Sequence, residues 1–310
     1  MRDVSGATHR YRLHGLRLAS DRPLPELAGV TLPARAPVDL VLRTRTPESP
    51  RRDPVTWLTR GRSWLRVGRT ASGYLLSIAG GNQFHVDDRG ARIDGARAAG
   101  TPWPEFRHLF LDHVLPRVLS LRGRLSLHAT AVLLPRGLAA FLGPAGMGKS
   151  TLAASFVADG RPIWCDDCLT LDELAGRIRA IPSHPGFRLA PDSARSLGFA
   201  GDLVRSTGKR VFAGDGSATS RPRKVAAIYR LARTSGRMPR IEPLPAREAF
   251  LEIVSAAFSL DPEDRASHAR RFELVGRLTA ALEVKRLLLP RRFESLPAVR
   301  ALVLADARRG

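Results

Sequence analysis

The chain has 310 residues, 44% of them hydrophobic, with a formal net charge of +21 and a pI near 11.5. That length buries a sizeable core and is expected to divide into two units; with no stretch of about 20 apolar residues and no apolar run after Met1, a soluble cytoplasmic protein is expected. Four of the 50 basic residues are lysine (Lys149, Lys209, Lys224, Lys285), aromatics make up 6%, and basic and aromatic residues do not alternate, so nucleic acid is disfavoured as a partner. A field of this sign still concentrates nucleotides and acidic peptides.

Residues 1–100 alternate short strand-like runs with Pro- and Gly-rich connections: Val38–Arg43, Ser63–Val67, Gly73–Ile78 and Phe84–Val86 are the clearest. No catalytic constellation stands among them, and His14 and His85 read as sheet residues. A small β-rich domain that docks a partner or shapes an acceptor site is expected. Gly95–Pro104 reads as a linker. Glu105–Ser120 has apolar residues at helical spacing and is expected to pack on the sheet of the following domain.

Leu125–Val132 is an apolar strand interrupted by His128. Leu138–Leu142 is a buried strand running into G-P-A-G-M-G-K-S-T, that is Gly143, Pro144, Ala145, Gly146, Met147, Gly148, Lys149, Ser150 and Thr151. A strand entering such a loop and a helix leaving it bring consecutive backbone N–H groups around a phosphate at a positive helix end. Lys149 then reaches the β- and γ-phosphates of ATP or GTP, and Ser150 ligates Mg²⁺. Downstream, Pro162–Cys165 reads as a short strand ending in Asp166 and Asp167. Carboxylates at a strand end face the same crevice as the loop, where one can hold Mg²⁺ and the other can accept a proton from an incoming hydroxyl. Cys165 and Cys168 flank the pair; without further Cys or spaced His ligands they read as small buried side chains rather than a zinc or redox site.

Leu169–Asp172 and Arg177–Ile181 read as paired strands extending the sheet. Asp192–Arg223 is poor in apolar residues and reads as a mobile segment, in which Lys209 and Arg210 could close over a phosphate, as could Arg188 before it. Val225–Leu231 returns as a buried strand, followed by helices at Ala246–Phe258, at Asp261–Glu283 with Asp261 as cap, and at Leu296–Ala307.

The order His128, Gly143–Thr151, Asp166–Asp167 resembles the catalytic domain of the HPr kinase/phosphorylase superfamily. Tyr11–Ser20, Leu24–Leu27, Phe110–Leu119, Arg122–His128, Ser183–Leu189 and Gly208–Val211 are similar to segments of its HPr-kinase-related subgroup. The resemblance implies an α/β fold with an HPr-kinase-like phosphate-loop kinase domain at 101–310, preceded by the small β-rich domain at 1–100. It implies ATP and Mg²⁺ as cofactors, His128, Lys149, Asp166 and Asp167 as catalytic residues, and Ser150, Asp166 and Asp167 at the metal. It further implies a serine kinase of the type that phosphorylates the C-terminal serine of a lasso-peptide precursor, with a precursor peptide and a leader-peptide-binding protein as partners and a homo-oligomer as an open question. The glycine-rich stretch that follows the aspartates in HPr kinase/phosphorylase has no counterpart here, so HPr is not the implied acceptor. Three alternatives stay open: a related serine kinase with another acceptor, a nucleotide-gated binding module without transfer, and a nucleic-acid-linked ATPase.

Overall fold

The computed structural model describes residues 8–45, 54–59, 61, 63–184, 186–204, 208–212 and 221–308. It is a mixed α/β protein with several sheets and two compact units, the first running to Arg124 and taking in Ser259–Ala269, the second formed by Leu125–Phe258 and the chain from Arg270 onward.

The first unit is built on an eight-stranded sheet. Its strands alternate buried and partly exposed residues, as in Gln83–Asp87, where Phe84 and Val86 point into the core. The helical stretch Trp103–Leu121 belongs to this unit: Phe106 stacks on Phe84 with ring centroids 4.8 Å apart, and Phe110, Val114 and Val118 are fully buried in the same core. The expected packing of this helix on the following domain is therefore corrected, because its apolar stripe is consumed by the β-rich unit. The expected linker at Gly95–Pro104 is corrected too. Gly95 sits inside the strand Arg92–Ala96, where a Cβ would come 2.7 Å from Cζ of Phe106, so the chain is tightly packed there. The division consequently falls after Arg124 rather than after residue 100.

The second unit centres on a six-stranded sheet in the order Ile163–Cys165, Ala129–Leu134, Gly137–Leu142, Val225–Thr234, Val284–Pro290, Arg240–Pro243. Every residue of Gly137–Leu142 is buried, as expected of a strand covered on both faces. Ala139 and Phe141 face a core shared with Phe156, Val299 and Val303, while Leu138, Ala140 and Leu142 face one shared with Ile253, Val275 and Leu278.

Three further expectations are corrected. Leu125–Val132 is not one strand: Leu125–Leu127 pairs with Leu169–Leu174, Ala129–Leu134 enters the six-stranded sheet, and the break falls at His128, whose N–H is taken by the carbonyl of Ala256 at 2.7 Å. Leu169–Leu174 and Arg177–Ala180 do not extend the main sheet but form a separate three-stranded sheet with Leu125–Leu127. The long helix begins at Arg265 rather than Asp261, since Asp264 accepts the N–H of Ser267 at 3.0 Å and the Asp261 carboxylate is engaged elsewhere. Within Asp192–Arg223, residues 205–207 and 213–220 lie outside the described residues; the remainder includes the helix Pro191–Ser196 and the strands Asp202–Val204 and Lys209–Phe212, which form a three-stranded sheet with Phe187–Leu189. Among the described residues no helix is long and apolar enough to cross a membrane.

Candidate functional site

Strand direction brings the expected site residues to one edge. Ala129–Leu134 is antiparallel to both of its neighbours, Gly137–Leu142 and Ile163–Cys165, so those two strands run the same way. Their C-terminal ends, carrying the loop from Gly143 and the pair Asp166–Asp167, meet the N-terminal end of the intervening strand, which carries His128 and Thr130. The whole cluster lies within the second unit.

At the end of the loop, Gly148 adopts φ 100° as the residue before the helix Lys149–Ala158, a backbone state that glycine reaches without steric cost. The Lys149 side chain folds back into the loop, where Nζ donates to the carbonyls of Gly143 at 2.7 Å and Pro144 at 3.3 Å and lies 3.0 Å from His128 Nε2. The residue is only 5% exposed. Burial lowers its pKa, opposed by the charges of Asp167 and Asp166 and reinforced by Lys209. Burial and the neighbouring Lys149 likewise lower the pKa of His128, against the charge of Asp167 and a hydrogen bond to its backbone. An ammonium can only donate, so in this contact His128 Nε2 accepts from Lys149 Nζ.

Asp166 is 4% exposed. Its Oδ1 accepts from Thr130 Oγ1 at 2.7 Å and Ser150 Oγ at 2.9 Å, and its Oδ2 accepts from the backbone N–H of Arg188 at 3.1 Å. Burial, followed by the Asp167 charge, pushes its pKa up to about 6, against the pull of Arg188 and Thr130. Asp167 follows at φ 61°, a left-handed conformation uncommon outside glycine but among the better tolerated for Asp, and its Oδ2 accepts from Arg188 Nη2 at 2.9 Å. The turn is closed by the N–H of Cys168 on the carbonyl of Asp166 at 2.8 Å. Cys165 and Cys168 are buried free thiols.

Ser150 and Asp166 thus present adjoining oxygens, a donor set suited to Mg²⁺. Among the described residues no group of three or more His, Cys, Asp or Glu side chains could hold a metal ion. A magnesium ion at this edge would complete its shell with phosphate oxygens and water, the habit of Mg²⁺ in nucleotide sites. Thr151 Oγ1 lies 3.0 Å from Ser193 Oγ. Of the expected phosphate-closing residues, Arg188 reaches the acidic pair and Lys209 is near enough for its charge to act on Lys149 and His128, whereas the guanidinium of Arg210 is directed at the carbonyl of Gly201.

Thr130 is the site residue that sequence reasoning missed. Its spacing of two from His128, on a strand entering the same edge, was the available signal.

No family model and no curated protein sequence matches the chain. Among solved structures, the HPr(Ser) kinase/phosphatase from Coxiella burnetii aligns with 59% of this chain and 95% of its own, at 14% identity and a TM-score of 0.31, a likeness too low to assign a fold or a function.

Proposed function

We propose that this chain is an ATP-dependent phosphotransferase that moves a γ-phosphoryl group to a serine hydroxyl of a peptide, with the C-terminal serine of a lasso-peptide precursor as acceptor. The observation that carries the kinase reading is the meeting of Lys149, Ser150, Asp166 and Asp167 at one sheet edge. The acceptor rests on the sequence resemblance alone.

In the reaction, the serine oxygen attacks the γ-phosphorus in line, the bond from that phosphorus to the β,γ-bridging oxygen breaks, ADP leaves, and the hydroxyl proton passes to a carboxylate. Asp166, whose Oδ1 accepts from Ser150 Oγ, is the better placed to hold the metal. Asp167, 19% exposed and oriented by Arg188, is the better placed to take the proton. Lys149 and the loop N–H groups supply fixed positive potential for the phosphoryl oxygens, and His128 sets the direction of the Lys149 ammonium. Bound Mg²⁺ would neutralise charge on the phosphate oxygens.

Mass spectrometry of a serine-terminated precursor peptide incubated with the protein and Mg-ATP tests this. The expected result is a gain of about 80 Da on the C-terminal serine, absent with Asp166→Asn/Asp167→Asn. An unmodified peptide alongside intact ATP binding rejects the proposed acceptor; phosphate appearing with the double variant rejects the role of the acidic pair.

A further inference from the structure

Arg233 stands next to the last residue of the strand Val225–Thr234, which runs parallel to Gly137–Leu142 with Arg230 opposite Leu142. Both strands therefore deliver their C-terminal ends to the same edge, the side on which α/β sheets bind ligands. From there Nη2 of Arg233 donates to the carbonyl of Gly146, in the phosphate loop, at 3.3 Å. The side chain is exposed, and among the described residues it forms no ion pair; Arg230, three positions earlier, is tied to Glu252 at 3.0 Å. A guanidinium offers five donors in a rigid fork suited to phosphate, and one long bond to a neutral carbonyl leaves most of them uncommitted.

The two cations at the loop are held differently. Lys149 is buried and bonded to two loop carbonyls and lies beside His128, so it is fixed within the loop. Among the described residues Arg233 makes a single weak contact from outside the loop, and it can turn toward an anion at no cost in buried hydrogen bonds.

We infer that Arg233 is a γ-phosphate-binding residue: with nucleotide triphosphate in the loop, its guanidinium leaves the Gly146 carbonyl for the terminal phosphate and so distinguishes ATP from ADP. This rests on the phosphate-loop reading above. A charge-assisted bond of this kind exchanges a weak neutral contact for one roughly twice as strong. Because the side chain is exposed, its removal leaves no buried group unpaired, and the fold is retained.

Calorimetric titration of the full chain with Mg-ATP and Mg-ADP provides the test, on the parent protein, Arg233→Ala and Arg233→Lys. Arg233→Ala is expected to weaken Mg-ATP binding by at least about tenfold while leaving Mg-ADP within about twofold, and Arg233→Lys to recover part of the loss. Equal losses for both nucleotides, or no loss for either, overturn the inference while leaving the phosphate-loop reading in place. A parent protein that binds neither nucleotide overturns that reading and this inference with it.

Discussion

Two aspartates, one in each unit, share the same 4% solvent exposure, but Asp166 lies deeper in the protein, and their surroundings drive protonation in opposite directions. Burial raises the pKa of Asp261, but hydrogen bonds from Arg69, the backbone N–H of Glu263 and Tyr74 outweigh it and hold the carboxyl below its usual range. Asp166 receives only hydroxyl and backbone donors on its oxygens and shares its neighbourhood with Asp167; burial wins and the pKa rises to about 6. One carboxylate carries its cation within the fold. The other accepts no side-chain hydrogen bond from a cation among the described residues and lies beside Ser150. A buried carboxylate with hydrogen bonds but no cation bonded directly to it is held less well as an anion, so this is where a positive ion would have most to gain.

The comparison is broken or sharpened by substitution. The largest effect belongs to the site: Asp166→Asn is expected to lower phosphoryl transfer on the order of 10³-fold, as loss of a transition-state contact does, without lowering the unfolding temperature of the metal-free protein at pH 8. A thermal melt beside a turnover assay checks both halves. In the first unit, Arg69→Ala strands the Asp261 carboxylate and should cost about 2 kcal/mol, less than a fully buried pair because Arg69 is 46% exposed. Chemical denaturation reads that loss, while nucleotide affinity stays at the parent value.

The pH dependence should separate the two aspartates next. The raised pKa of Asp166 gives a contribution fully present below the ordinary carboxylate value near 4 and lost as pH rises through about 6. The lowered pKa of Asp261 gives one present above that ordinary value and lost as pH falls through the depressed pKa. Between pH 4 and 7, melts of metal-free parent protein minus those of Asp166→Asn should therefore decline with rising pH, and melts of parent minus Asp261→Asn should not. The smallest effect is expected at the surface, where hydrogen bonding to Arg17 holds Asp39 at about 2. That pair is 39% and 25% exposed, and Arg17→Ala should shift the melting temperature only marginally, an effect fully present above pH 4 and lost as pH falls through about 2.

The site was more legible in the sequence than its scaffold. Gly143–Thr151 and Asp166–Asp167 are local patterns that residue type and the strand before them mark out, and the fold brings them to one edge. What the sequence left open was long-range. The apolar stripe of Glu105–Ser120 specifies a buried helix face but not which unit covers it, and Phe84, which does so, lies far back in the chain. The change of sheet at His128 depends on the Ala256 carbonyl, and Asp261 looked like a helix cap because its partners Arg69 and Tyr74 are nearly 200 positions away, at separations of 192 and 187. Local pattern describes what a segment needs, and only the folded chain supplies the partner.

Nucleotide titration with and without Mg²⁺, on the parent protein, Lys149→Ala and Asp166→Asn, addresses the central claim most directly. The account predicts ATP binding that Mg²⁺ strengthens, a loss on the order of a hundredfold with Lys149→Ala, and, with Asp166→Asn, loss of the Mg²⁺ enhancement alone. Binding that is indifferent to Lys149, or strengthened equally by Mg²⁺ when Asp166 is replaced, would contradict it.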